Sequence, residues 1–211
     1  MAFKDYFKKF SFLLPPLFVL ISNLTASFVT RPFLGSTHDI ATAWDRQIPL
    51  VPGFIHIYFL AFVQWAVCIV AVMIIDKEAS KRYCTAISLA NIISGIIILS
   101  FPTVMALRPE EFSGGGAFTQ LVGNFIYSAD NPPMNALPSL HCLHSFGCMR
   151  MVFAAKRIPK SLKIINAVFS FLVFASVLLV RQHYIIDIPA GILVFEIGLL
   201  ITKLIEKHSK A

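Results

Sequence analysis

Charge is what this chain has least of. Only 14% of its 211 residues are Asp, Glu, Lys or Arg, too few to cover a soluble domain of that length with polar side chains. The other side of that shortage is 57% hydrophobic residues and a mean hydropathy of +0.75, which points to an integral membrane protein. There is no stretch left over for a separate soluble domain, so residues 1–211 read as one membrane domain. Cysteine is sparse as well: Cys68, Cys84, Cys142 and Cys148 form no C-x-x-C pair and all fall in apolar runs, as small packing residues do. His141-Cys142-x-His144 offers too few ligands for zinc or haem. No metal and no cofactor is therefore expected. Solenoid-period repeats and low-complexity segments are also missing.

What is present is a series of apolar stretches. Hydropathy predicts an all-α protein of six transmembrane helices, at about 11–30, 56–75, 83–104, 139–155, 164–180 and 185–205. The first, preceded by Lys4, Lys8 and Lys9, is too long for a signal peptide and lacks a small-x-small exit, so an uncleaved span is expected. Thirteen basic residues fall on one side of this layout: Lys4, Lys8, Lys9, Lys77, Lys81, Arg82, Lys156, Arg157, Lys160, Lys163, Lys203, Lys207 and Lys210. Four (Arg31, Arg46, Arg108 and Arg181) fall on the other, with Arg150 inside the fourth span. The positive-inside rule then places both termini in the cytoplasm. The net charge of +7 reads as topology beside anionic lipid headgroups, with no nucleic-acid partner.

That orientation puts the connections 31–55, 105–138 and 181–184 on the outer face. The longest carries a flexible Ser113-Gly114-Gly115-Gly116 and a turn-forming Asp130-Asn131-Pro132-Pro133. A connection of this length is either a functional lid or disordered chain. Phe101-Pro102 is expected to end the third span. Arg150 and Glu196 sit at similar depth and suggest an ion pair inside the bundle. His144 reads as a packing residue, and Tyr58 and Tyr184 as interface anchors.

The chemistry concentrates at the outer ends of two spans. His183 and Asp187 lie four apart and share a helical face. Pro138-Ser139-Leu140-His141 opens a span running in the same direction, and proline suits a first helical turn. Two helix N-termini facing one way make a site for an anion, phosphate especially. Arg108, Arg181 and Ser139 are the candidate phosphate-binding side chains. His183 is the candidate nucleophile, Asp187 its orienter and His141 the general acid.

Pro138-Ser139-Leu140-His141, with Gln182-His183-Tyr184-x-x-Asp187, resembles the type 2 phosphatidate phosphatase superfamily across nearly the whole chain. Asp45-Arg46-Gln47-Ile48-Pro49-Leu50-Val51-Pro52 and Phe101-Pro102-Thr103 look most like its branch containing inositol phosphorylceramide synthases. The resemblance implies a metal-independent phosphohistidine mechanism with His183 as nucleophile. Three positions depart from the common pattern. Phe101 stands where the first motif has lysine, Leu140 where the second has glycine, and Val177 where the third has arginine. Fewer cations around the phosphate make a phosphodiester headgroup a plausible substrate beside a phosphomonoester.

The sequence therefore predicts a membrane lipid phosphatase acting on phosphatidate, phosphatidylglycerol phosphate or polyprenyl diphosphate. Its alternative is a headgroup transferase that passes the group to a lipid alcohol such as a ceramide or diacylglycerol. The expected partners are the bilayer and its lipid substrate, and the expected location is a bacterial cytoplasmic membrane with the site facing outward. A channel with a polar outer vestibule is the rival from another class, weakened by the scarcity of ionisable residues deep in the spans.

Overall fold

The computed structural model describes residues 13–209. Lys4, Lys8, Lys9 and Lys210 lie outside the described residues, as does the start of the first expected span. The described chain is helical, and the elements follow the hydropathy. Helix α1 covers Leu14–Leu24, with Pro15 and Pro16 in its first turn, where the missing N–H costs nothing. It continues as a π-helical turn over Thr25–Val29, where the Thr25 and Thr30 hydroxyls bond back to the carbonyls of Ile21 and Ala26 at 2.9 Å. Helices α2 (Phe54–Ile75) and α3 (Lys77–Ser100) are separated only by Asp76, whose side chain caps α3 by accepting from Ala79 N. Helix α3 stops at Ser100, immediately before Phe101-Pro102, as proline dictates.

Beyond a connecting segment come α4 (Ala117–Ala129), α5 (Leu140–Ala154), α6 (Lys160–Leu179) and α7 (Asp187–His208). Four of these helices, α2, α3, α6 and α7, are long and apolar enough to cross a membrane. Described α1 has 11 residues and α5 has 15; at 1.5 Å per residue α5 covers about 22 Å, short of a hydrocarbon core of about 30 Å.

Short α5 is the centre of the bundle, packing against α2, α3, α6 and α7. Its small residues Cys142, Ser145, Gly147 and Cys148 are buried and let the neighbours approach closely. All four cysteines are free and buried. The outer faces of the long helices carry exposed apolar side chains such as Phe62, Val67, Ile96, Phe171 and Leu200, the surface that hydrocarbon would cover.

Buried polar groups stitch the helices together. His144 Nε2 lies 2.9 Å from Asn91 Oδ1, and Asn91 donates to Ser22 Oγ at 3.0 Å, joining α5, α3 and α1. Arg150 and Glu196 are paired as expected, but at the bundle surface, each side chain more than a third exposed.

Two expectations change. The 105–138 connection contains α4, which presents Phe118, Leu121 and Phe125 outward and buries Ile126 and Tyr127. That 3–4 periodicity marks an amphipathic helix, which is not disordered chain. Tyr58 and Tyr184 are core residues, at 6% and 0% exposure, and not interface anchors.

Candidate active site

The stretch after α6 turns sharply. Val180 N bonds to Ser176 O, and the backbone N–H groups of Gln182 and His183 both reach Val177 O, at 3.0 and 3.1 Å. Arg181 sits between them at φ 54°, the left-handed conformation that closes helix C-termini and is uncommon for a non-glycine residue. The turn delivers His183 to the mouth of α7. Asp187, fully buried, accepts from His183 Nδ1 at 3.2 Å and from Tyr184 N at 2.8 Å through the same oxygen. Ala136 O lies 2.8 Å from His183 Nδ1. Both partners of Nδ1 are acceptors, so Nδ1 carries the proton and Nε2 keeps its lone pair.

The other long connections clamp this turn. Asp45 is buried in a capping box with Thr42, and its second oxygen accepts from Ile185 N at 2.8 Å. Burial pushes the Asp45 carboxyl up, but its hydrogen bonds from Thr42 and Ile185 outweigh that and hold it below the ordinary carboxylate value. The Tyr184 hydroxyl donates to Asp39 Oδ1 at 2.7 Å and accepts from Ala106 N at 3.0 Å. The bond between them lowers the Asp39 carboxyl, and burial together with that bond raises the tyrosine. Isolated β-bridges pair His38 with Thr103, which joins the two long connections, and Val104 with Met134, which ties the second to itself.

Helix α7 approaches α5 closely enough that a Cβ on Gly191 would stand 2.4 Å from Ser139 O. Ser139 N in turn donates to Asp187 O at 3.1 Å. This contact brings the two histidines together, with ring centroids 6.3 Å apart. His141 is walled by aromatic rings, stacked on Tyr58 at 4.0 Å and edged by Phe62 and Trp65 at 5.2 and 5.1 Å. Among the described residues, the His141 ring makes no hydrogen bond, and its Nε2 is buried.

Both histidines line a cavity of about 320 Å³. Its lining combines polar Arg31, Asp130, Asn135 and Gln182 with apolar Leu20, Leu24 and Phe28 of the first helical stretch and Phe59 and Phe62 of α2. Those five apolar side chains are exposed on the bundle's flank. Among the described residues, three buried polar atoms of the cavity lining have no partner: His141 Nε2, Gln182 Nε2 and Asn135 Oδ1. The amide orientations follow from their other halves, Gln182 Oε1 facing the Arg108 guanidinium and Asn135 Nδ2 donating to Ser27 O at 3.2 Å.

Cations gather around Asp130. One carboxylate oxygen pairs with Arg31 and the other with Arg108 at 3.0 Å. Arg108 also donates to Asp130 O at 2.9 Å and lies over the Tyr127 ring at 4.6 Å. Burial pushes the Asp130 carboxyl above its ordinary value against the pull of the two guanidiniums, and pushes Arg108 down. Tyr127 is pushed up to about 12, again by burial.

The structure thus brings His183, Asp187 and His141 together and places Arg108 one layer behind the cavity. Ser139 is fully buried and serves as the α5 N-cap, accepting from Cys142 N at 3.3 Å. Arg181 points away, donating to Ile48 O, so neither it nor Ser139 is among the lining residues. Arg31, Asp130, Gln182 and Asn135 do line the cavity and escaped the sequence reading. In the sequence Arg31 carries only topological meaning, and Asp130 shows only as the start of a turn.

No curated protein and no solved structure matches this chain. A family model of the PAP2 superfamily matches residues 34–201, a stretch that contains His141, His183 and Asp187 together with every cavity residue that α2 and α4 supply. On that match, the chain belongs to the PAP2 superfamily, that of the type 2 phosphatidate phosphatases.

Proposed function

We propose that this membrane protein is a lipid phosphatase that works through a phosphohistidine on His183. The carrying observation is one cavity lined both by a carboxylate-oriented histidine and by apolar side chains exposed on the bundle's surface. A headgroup can reach His183 from the side while its acyl chains stay among Leu20, Leu24, Phe28, Phe59 and Phe62. PAP2 superfamily members are typically phosphatases or phosphotransferases, in keeping with this reading.

In the mechanism, His183 Nε2 attacks phosphorus as the bond to the lipid oxygen breaks. Asp187 holds the ring and stabilises the positive charge that develops on it. His141, protonated, gives its proton to the departing alkoxide. Water then attacks the phosphohistidine, with His141 taking a proton back, and phosphate leaves. Arg31 and the unpartnered Gln182 Nε2 are the donors for the phosphate oxygens, with Arg108 acting through Asp130. Ser139 supports the site as the cap of α5 and Arg181 as a clamp on the 31–53 connection. Six spans with both termini cytoplasmic put this cavity at the outer face.

One observation favours a second reading, headgroup transfer. Asn135 Oδ1 is a buried acceptor without a donor, suited to the hydroxyl of an alcohol that replaces water. This is the outcome the likeness to inositol phosphorylceramide synthases implies.

The test is release of diacylglycerol from phosphatidate by purified protein in chelator, with and without a lipid alcohol. Activity that survives chelator and vanishes in His183→Ala supports the mechanism; undiminished activity in that variant overturns it. Free phosphate as product identifies hydrolysis, and a phosphorylated acceptor identifies transfer.

A further inference from the structure

The ionisable groups around the cavity form a small set. Arg31 and Asp130 line it, and Arg108 stands behind Asp130 with its side chain only 4% exposed. Asp187 stands behind His183 with none. Two guanidiniums thus face two carboxylates, and with His183 neutral the set has no net charge before the general acid is counted. A protonated His141 adds one positive charge. A phosphate group bearing one negative charge completes the balance, whereas a dianion leaves an excess negative charge in a site walled by Tyr58, Phe62, Trp65 and Phe125. Uncompensated charge is costly in such surroundings.

Among the described residues, Asp130 makes no hydrogen bond to either histidine. Its two oxygens are divided between the two arginines, the groups otherwise free to face phosphate. Arg31 approaches it from the turn after α1, Arg108 from the 101–116 connection, and His183 from the turn before α7; Tyr58 of α2 and Tyr127 of α4 are the neighbouring titratable hydroxyls. The remaining contacts to the phosphate are uncharged donors, above all the orphaned Gln182 Nε2.

We infer that Asp130 is a specificity-determining residue, a fixed internal anion that restricts the site to phosphate groups carrying a single negative charge. Phosphodiesters meet that rule at any ordinary pH. Phosphomonoesters meet it only in the form that keeps one proton, which they lose with a second pKa of about 6. The inference rests on the phosphohistidine reading and specifies the charge of its substrate. Exchanging Asp130 for Asn keeps the shape, gives the two guanidiniums no counter-ion, and leaves room for the dianion.

The experiment compares dioctanoyl phosphatidate with dioctanoyl phosphatidylglycerol in detergent micelles, using the full chain at concentrations where a single-turnover burst is visible. Both donors lose the same diacylglycerol, so its release reports the first step for each, and their ratio cancels the titration of the histidines. In the wild type, the monoester-to-diester ratio should fall about tenfold per pH unit between pH 6.5 and 8.5, following loss of the second proton. In Asp130→Asn the fall should flatten, with at least about a tenfold relative gain for phosphatidate at pH 8 and above, while Asp130→Glu keeps the wild-type slope. A flat ratio in the wild type overturns the charge rule without needing the variants. A slope unchanged in Asp130→Asn overturns the role of Asp130. Release that persists in His183→Ala, or no release by the wild type from either lipid, overturns the phosphohistidine reading itself and the inference with it.

Discussion

Asp187 Oδ2 stands 3.2 Å from His183 Nδ1 while accepting the Tyr184 N–H at 2.8 Å. One carboxylate oxygen therefore fixes both the tautomer of the histidine and the backbone turn that carries it. Nothing about that oxygen is exposed to water, so its pull on the imidazole is weakly screened.

Replacing Asp187 by Asn should keep the shape of the turn but lose the charge and the acceptor preference that hold Nδ1–H. Lipid turnover should fall at least about 100-fold, with KM changed by no more than about threefold. His141→Ala should cost about 10²- to 10⁴-fold and remove one limb of a bell-shaped pH profile, since the acid must be protonated while the nucleophile is neutral. Initial rates from pH 5 to 9 check both; a wild-type profile without two limbs counts against the division of labour.

Arg31 and Arg181 should behave differently. Arg31→Gln removes a charged donor at the cavity and should raise KM at least about tenfold. Arg181→Gln removes the bond to Ile48 O and should lower stability by about 1 kcal/mol, with its main effect on melting temperature. The outcome against the site described here is a larger KM effect at Arg181 than at Arg31.

Gly191→Ala forces a Cβ to within 2.4 Å of the Ser139 carbonyl oxygen. Backbone cannot swing aside as a side-chain tip can, so α7 must shift from α5. Overpacking of this kind costs about 1–3 kcal/mol and should also separate the histidines. Loss of both melting temperature and turnover is expected, and an undisturbed enzyme would show the contact to be looser.

Asp45 and Asp39 are held below the ordinary carboxylate value. A carboxyl lowered in the folded state contributes stability that is present above its unfolded value of about 3.9 and is lost as pH falls through the folded value. The clamp on Tyr184 and Ile185 should therefore loosen below about pH 4. Melting curves from pH 3 to 7 should show a steeper acid loss for the wild type than for Asp45→Asn, whose stability starts lower and varies less.

The helices were legible because a residue in hydrocarbon has few options: α2, α3, α6 and α7 announce themselves by length and composition, and Pro102 and Pro159 bound their neighbours. His183 and Asp187 were legible because their spacing is local. Helix α4 was not, since its apolar residues Phe118, Leu121 and Phe125 alternate with Thr119, Gln120 and Asn124 in a segment between three glycines and an Asp-Asn-Pro-Pro turn. Its amphipathic period resembles loop composition until the face is seen.

The candidate phosphate ligands show the same division. Arg181 lies two residues from His183 yet points to Ile48, because its left-handed backbone turns it outward. Arg31 is 152 positions from His183 in the sequence yet lines the same cavity. Sequence by itself determined the membrane-helical class and the local His183–Asp187 pair, which follow from composition and from contacts within one turn. Only the tertiary structure decided that Asp130 lies between Arg31 and Arg108, that His141 faces His183, and that Ser139 and Arg181 serve the scaffold. Those relationships join separate connections, and the close approach of α7 to α5 at Gly191 and the direction of each side chain at the turns set them.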